Sequence, residues 1–316
     1  MLTTCIIGGA GFIGRAVVEE LLLRGDRKLV VVGRENEAPH LPDGVRYVHH
    51  PLETSDELMT QTLSSVDEIV DLAYATVPQT SFQNPVHDIL VNIPETVRLF
   101  EHAAKHPLRK FVWISSGGTV YGPAQFLPLT EGHPTNPISP YGITKLALEK
   151  YAHFYYHMTQ LPIVCVRPAN AFGEGQRVYA GQGFIGTAIA SLLDRRIINI
   201  FGQEGTVRDY LHVQDMASGI VAALIDGQPG EVYNIGSGIG YSNKQVLDFL
   251  LPLAAAQGIE SRIQVLPARL FDVKINILDT TKLLNHTGWQ PVAPFEEMLE
   301  RTWNWYVANY VRAPVN

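Results

Sequence analysis

Gly8-Gly9-Ala10-Gly11-Phe12-Ile13-Gly14 follows the apolar run Cys5-Ile6-Ile7 and opens the helix-like stretch Phe12–Arg24. Gly8, Gly11 and Gly14 are spaced Gly-x-x-Gly-x-x-Gly. Glycine permits a tight turn from strand to helix and lets backbone N–H groups approach a diphosphate with no Cβ in the way. The N-terminus of the following helix then favours the anion. A plain glycine turn is the alternative, but a strand before and a helix after are the context that dinucleotide binding needs.

Outward from this turn, short apolar runs alternate with amphipathic stretches. Leu29–Val32, Val45–Val48, Ile69–Leu72, Phe111–Ile114 and Ile163–Val166 read as further strands, apolar on both faces, as in a parallel sheet covered by helices. Ser55–Leu63, His87–Lys105 and Pro140–Thr159 read as the helices between them. The alternation predicts an α/β fold with a doubly wound parallel sheet. In the second half, Phe184–Leu193, Gln214–Ile225, Asn243–Gln257 and Phe295–Tyr310 look helical, with short strands near Ile198–Phe201, Arg208–Val213, Val232–Ile235 and Ile263–Leu266. No repeat or Gly/Ser linker separates the halves, so a second lobe is expected to be continuous with the first. We expect a dinucleotide-binding domain over 1–169, a smaller interleaved C-terminal α/β lobe over 170–316, and a segment around 207–236 that returns to the first domain.

The chain has 316 residues, 46% hydrophobic and 17% charged, enough for a sizeable core and too apolar for intrinsic disorder. Its 24 basic and 31 acidic residues give a formal charge of −7, with no Lys/Arg cluster, which disfavours nucleic-acid and anionic-membrane partners. No apolar run approaches the roughly 18 residues of a membrane helix. The start shows no basic region ahead of an apolar stretch, so no signal peptide is expected and a cytoplasmic location is. The two cysteines, Cys5 and Cys165, exclude a disulfide scaffold and a Cys-rich zinc site. His102/His106 and His153/His157 have chelating i,i+4 spacing, but no third ligand is evident and no metal is expected.

Ser139-Pro140-Tyr141-Gly142-Ile143-Thr144-Lys145 reads as a helix start, with Ser139 as N-cap and Pro140 at the first helical position. Tyr141 and Lys145 are four apart and share a face. A nearby ammonium favours the phenolate, so such a tyrosine can exchange a proton with a substrate hydroxyl near neutral pH. An ordinary exposed Tyr/Lys pair is the alternative. The strand that ends Val32-Gly33-Arg34-Glu35 bears on the dinucleotide. An acid at its end would bind the ribose hydroxyls, whereas a basic residue could pair with a 2′-phosphate. Gly33 stands at that place and Arg34 follows, which leans towards NADP. The other reading stacks Arg34 on adenine, with Glu35 or Glu37 near the ribose.

With these motifs together, the chain resembles the extended short-chain dehydrogenases/reductases of the NAD-dependent epimerase/dehydratase family, most of all the UDP-sugar 4-epimerases. The marks are GGAGFIG (8–14), SSGGTVYG (115–122), SPYGITK (139–145), RPANAFG (167–173), TVRDYLHVQD (206–215), YNIGSG (233–238) and RLFDV (269–273). The first and third belong to the whole superfamily; the later ones are more specific to nucleotide-sugar enzymes. The resemblance implies a Rossmann fold, bound NAD, and 4-epimerisation of a UDP-hexose by transient hydride transfer through a 4-keto sugar. It implies Tyr141 as acid/base and Lys145 as the residue that holds the nicotinamide ribose. It places Gly8, Gly11, Phe12, Ile13, Gly14, Arg34, Ala73, Asn92, Ser115 and Pro168 at the cofactor. It places Asn170, Arg208 and Arg269 at the substrate diphosphate, Asp272 at the nucleoside ribose and Phe201 at uracil. It also implies a homodimer through helices 87–105 and 140–159. Internal ion pairs of Arg208 with Asp209 or Asp215, and of Arg269 with Asp272, are the alternative.

The chain departs from the family's pattern in three places. The family's catalytic Ser or Thr, four residues before the tyrosine of Val-Tyr-Gly, is Gly117 here, so Ser116, Thr119 or a water must take its role. Pro51 stands where an Asp often contacts adenine, and Gly33 where an acid meets the ribose. In the family, a bulky Tyr at the position of Asn276 restricts the pocket, so Asn276 leans the expectation towards UDP-N-acetylglucosamine/galactosamine, with UDP-glucose/galactose and uronic acids next. Asn276 capping a turn away from the sugar is the alternative. Gly117-Gly118-Thr119 lacks the Asp-Glu pair of a 4,6-dehydratase. An NADP-dependent 4-keto-sugar reductase and a non-enzymatic dinucleotide sensor remain as rival readings.

Overall fold

The computed structural model describes residues 1–37, 40–50, 56–269 and 273–310. In chain order its elements are β1 (Leu2–Ile7), α1 (Phe12–Arg24), β2 (Arg27–Gly33), β3 (Arg46–His49), α2 (Asp56–Leu63), β4 (Glu68–Asp71), α3 (Pro78–Gln83), α4 (Pro85–Ala103), β5 (Lys110–Ile114), α5 (Pro140–Thr159), β6 (Ile163–Pro168) and β7 (Asn170–Phe172). The second half follows with α6 (Phe184–Leu193), β8 (Ile197–Phe201), β9 (Val207–His212), α7 (Val213–Asp226), β10 (Val232–Ile235), β11 (Gly240–Ser242), α8 (Asn243–Ala256), β12 (Arg262–Leu266), β13 (Ile275–Asn276), α9 (Thr281–Thr287) and α10 (Phe295–Asn309).

Seven parallel strands form one sheet in the order β10-β6-β5-β4-β1-β2-β3. Valines, isoleucines and a cysteine dominate the central strands, and Cys5, Ile6, Val31, Ile69, Val70 and Val112 are all buried. Burial on both faces is what a parallel sheet between helix layers requires. On one face α1 packs against α7 around Val17, Leu21 and Ile220. On the other, α4 packs against α5 around Phe100, Trp113 and Leu148. The strand order reverses between β1 and β4, which opens a crevice at their carboxyl ends, the position where doubly wound sheets bind ligands.

β10 lies beside β6 at the edge of this sheet, so chain from the second half completes the first. The rest of the second half is built around β9, which pairs with β7 and β13 in parallel and with β11 antiparallel. β8 and β12 form a separate pair. Ile189, Leu250 and Trp303 bring α6, α8 and α10 into a third core. Five elements were not foreseen: α3, β7, β11, β13 and α9. They have 6, 3, 3, 2 and 7 residues, too short for a hydrophobic period to develop. Among the described residues no helix is long and apolar enough to cross a membrane.

Candidate active site

A cleft of about 1940 Å³ runs from the carboxyl ends of β1 and β2, past α5, to β9 and α10. At its first end the β1–α1 turn folds back on itself. Gly8 takes φ 79°, and a Cβ on Gly14 would run into the Gly8 carbonyl oxygen. Gly11 is the extended N-cap of α1, has no side-chain cap bond, and no acid follows in the first turn. The cleft wall here includes Gly8, Gly11, Phe12, Ile13 and Gly14. Backbone donors and the positive end of the helix dipole therefore face the cleft with no carboxylate in the first turn of α1, which fits the diphosphate of a dinucleotide.

Arg34 and Ala73 also line this end. Gly33 is hemmed in by β3: a Cβ there would lie 2.8 Å from the Tyr47 hydroxyl, which itself donates to the Glu35 carbonyl at 2.8 Å. The place of a ribose-binding acid is thus filled from the neighbouring strand by a neutral phenol. Pro51 lies outside the described residues.

Asn92 reaches the site through backbone. Its Oδ1 accepts from Ala75 N–H at 2.9 Å, and its Nδ2 donates to Thr76 Oγ1 at 3.1 Å and to the Asp88 carbonyl at 2.8 Å. Asp88 is fully buried on α4 and accepts from Thr76 Oγ1 and, at 2.6 Å, from Thr144 Oγ1. One carboxylate therefore ties the segment after β4 to α5, next to Lys145. The sequence reading missed Asp88, although its spacing of four from Asn92 on a helix was visible.

α5 begins as expected. Ser139 Oγ accepts from Gly142 N–H at 3.2 Å, with Pro140 in the first turn. Tyr141 and Lys145 both line the cleft. The Lys145 ammonium is buried, donates to the Ile114 carbonyl at 2.7 Å, and lies 3.7 Å from the centre of the Tyr74 ring and 5.9 Å from that of Tyr141. The electrostatics differ from the expected lowering of the tyrosine. Burial, and then the charge of Asp88, push the Tyr141 phenol up. Burial pulls Lys145 down to about 7, against the opposing pull of Asp71, Glu149 and Asp88. Buried Asp71 is itself pushed up to about 6, mainly by desolvation. Desolvation raises the phenol because it sits in a low-dielectric wall of the cleft, which disfavours the phenolate.

The segment after β5 presents Ser115, Ser116, Gly118 and Thr119 to the cleft. The Ser115 hydroxyl is turned towards Glu149, to which it donates at 2.5 Å, so its side chain supports the site from beneath. Glu149 in turn holds the buried Arg167 at 2.6 and 2.9 Å. Thr119 Oγ1 is buried and has no hydrogen-bond partner among the described residues. Gly117 has no room for a larger residue: a Cβ would lie 2.5 Å from Leu278 Cδ1 and 2.9 Å from the Arg167 carbonyl oxygen. Its N–H donates to the Pro168 carbonyl at 2.9 Å, while Pro168 lines the cleft beside it.

Asn276 does not reach the cleft wall. It is 1% exposed, and its Nδ2 donates to the Gly117 carbonyl at 2.9 Å. Parallel pairing of β13 with β9 points this amide at the Gly117 backbone, so direct contact with a sugar substituent, the basis for favouring N-acetylated hexoses, is replaced by support of the loop.

At the far end β7 supplies Asn170 and β9 supplies Arg208, and Arg269 joins them along the cleft. The Arg269 guanidinium stacks on Phe201 at 3.4 Å, so the Phe201 ring serves as a platform for the arginine. Asp272 lies outside the described residues. Asp209 accepts from Ser237, Gly238 and Leu278 N–H groups, and Asp215 from Val292 and Ala293 N–H groups, so both carboxylates are committed to backbone. The cleft also takes Glu174, Gln176, Arg177 and Arg301, none foreseen. Arg301 Nε is 2.6 Å from Glu174 Oε1, a pairing between a loop and α10 that no local spacing announces. Among the described residues no three His, Cys, Asp or Glu side chains gather as a metal site.

The model of the NAD dependent epimerase/dehydratase family matches residues 4–236. The UDP-glucose 4-epimerase of Mycolicibacterium smegmatis is 32% identical over 314 residues, covering 95% of this chain and 97% of that one. The structure of the UDP-glucose 4-epimerase of Thermotoga maritima with UDP-glucose superposes with a TM-score of 0.88 at 29% identity, covering 97% and 99% of the two chains. That of the Thermus thermophilus enzyme in complex with NAD gives 0.87 at 28%, covering 98% and 100%. Nucleotide-sugar reductases and dehydratases also occur among the similar proteins. The protein is thus a Rossmann-fold member of the extended short-chain dehydrogenases/reductases. Within them it belongs to the NAD-dependent epimerase/dehydratase family.

Proposed function

We propose that this protein interconverts a UDP-hexose and its 4-epimer. It is an isomerase of the extended short-chain dehydrogenase/reductase type and acts on a nucleotide sugar, as its 4-epimerase relatives do. The observation that carries the reading is one cleft with an uncapped helix N-terminus at one end, Tyr141 and Lys145 in the middle, and Arg208 and Arg269 at the other. Bound NAD supplies the hydride acceptor and donor, and a positive charge beside the phenol. The α1 N-terminus holds its diphosphate. Lys145 has three N–H donors; the Ile114 carbonyl takes one, and another is available to a ribose hydroxyl. As the phenolate, favoured by that positive charge, Tyr141 accepts the proton of the sugar 4-hydroxyl and returns it to the same oxygen after C4 is inverted. Thr119, whose hydroxyl has no partner among the described residues, and Ser116 are the groups in place to hold that hydroxyl where Gly117 cannot. The planar forks of Arg208 and Arg269 match phosphate oxygens, and Asn170 lies beside them. A diphosphate gripped while the hexose turns is what inversion at C4 requires.

We read the protein as a homodimer. α5 exposes Ile143, Tyr151, Phe154 and Met158 at 56, 42, 51 and 69%, and α4 exposes Val86 and Leu90, both at 64%. Light scattering of a monomer at micromolar concentration would refute this. Gly33 beside Tyr47, with Arg34 on the cleft wall, favours a second reading as an NADP-dependent 4-keto-sugar reductase. NMR of the purified protein with UDP-glucose, and separately with UDP-N-acetylglucosamine, tests the choice. Appearance of the galacto epimer without added cofactor supports the epimerase. No turnover even with NAD, together with NADPH oxidation by a 4-keto sugar, supports the reductase.

A further inference from the structure

Tyr74 follows β4 and stands between the two residues on which the proposed chemistry rests. Its ring face lies 3.7 Å from Lys145 Nζ, while it forms a T-shaped pair with the Tyr141 ring at a centroid distance of 5.0 Å and 70° between planes. It also lines the cleft. The Ile114 carbonyl fixes the Lys145 ammonium from one side, Trp113 is 4.9 Å away, and Tyr74 covers a further side. We propose that Tyr74 is a positioning residue: its ring holds the Lys145 ammonium, in charged form, within reach of Tyr141 and the nicotinamide ribose.

The reason is electrostatic. The negative face of an aromatic ring stabilises a desolvated cation and leaves the lysine's remaining N–H directions usable. The other groups that act on this ammonium are Asp71 from β4, Asp88 from α4, Glu149 from α5 and Cys165 from β6. Each carboxylate has prior commitments: Asp71 accepts from Ala73 N–H, Asp88 from Thr76 and Thr144, and Glu149 from Ser115 and Arg167. Burial already weakens the lysine's hold on its proton, so loss of the ring weakens it further.

The inference rests on the reading of Tyr141 and Lys145 as the catalytic pair. Its test is kcat and KM for UDP-glucose across pH 5.5–9.5 with the purified holoenzyme. Tyr74→Leu removes the ring, Tyr74→Phe keeps it, and Tyr74→Trp offers a stronger one. The alkaline limb of kcat, set by Lys145 deprotonation, is expected to move down by about one pH unit in Tyr74→Leu. It should stay in place in Tyr74→Phe and stay or move up in Tyr74→Trp, with KM altered less than kcat. An unmoved limb in Tyr74→Leu overturns the proposal, as does a downward shift in Tyr74→Phe equal to that in Tyr74→Leu. If Tyr74→Leu does not fold, a downward shift in Tyr74→Trp does the same. Full activity in Tyr141→Phe would instead dismiss the catalytic pair itself.

Discussion

At the end of the cleft proposed for the dinucleotide, the groups on offer are backbone N–H and a helix dipole, shaped by residues that have almost no side chain. At the end proposed for the substrate they are the tips of long side chains, Arg208 on β9 and Arg269 stacked on Phe201. The middle, with Tyr141 and Lys145 on one helix, belongs to the second kind. A site made of backbone is damaged by adding atoms, while a site made of side chains is damaged by removing them. Gly117 crosses this division, being a backbone position where the family's pattern calls for a side chain.

Four predictions probe the contrast. Tyr141→Phe removes one oxygen and should lower kcat by about 10²–10⁴-fold with the fold intact by circular dichroism; a loss under fivefold would break the side-chain account. Gly14→Val adds atoms against the Gly8 carbonyl and should weaken NAD binding by at least about tenfold while lowering stability by roughly 1–3 kcal/mol, read by calorimetric titration and urea melts. Unchanged NAD affinity would mean the turn is not the cradle. Gly117→Ser, which restores the family's residue, should cost about 1–3 kcal/mol through overlap with Leu278, and a second change, Leu278→Ala, should relieve part of that strain. A gain in stability from Gly117→Ser alone would contradict the packing described above.

The smallest effect concerns pH. Without cofactor, Lys145 is held at about 7, below its unfolded value, so between pH 7 and 10 the unfolded chain keeps a proton that the folded chain has lost. Unfolded molecules then bind more protons, and stability contributed by this residue rises with pH across that window. Lys145→Met should flatten the rise in a series of urea melts of cofactor-free protein. A rise that survives the substitution would locate it elsewhere.

The parallel sheet was legible because its central strands are apolar runs and its longer crossover helices show a period. Ser139-Pro140 marked the start of α5 to the residue. Tyr141 and Lys145 were legible because spacing of four on one helix is itself geometry. Asn276 was misread, since only the pairing of β13 with β9 decides that its amide meets Gly117. Tyr74 carried no signal at all: its contact with Lys145 joins residues 71 apart in the chain, and arises because α5 anchors Lys145 on the Ile114 carbonyl at the end of β5, the strand beside β4.

The alternation of strand and helix, the glycine turn and the Tyr–Lys spacing were all written in the chain, because they depend on contacts within a few residues. Other features waited on the folded molecule. It left no space at Gly117, turned the Asn276 amide towards the Gly117 backbone, and raised Tyr141 by desolvation. Burial and long-range pairing set those outcomes, and neither is a property of any short stretch of chain.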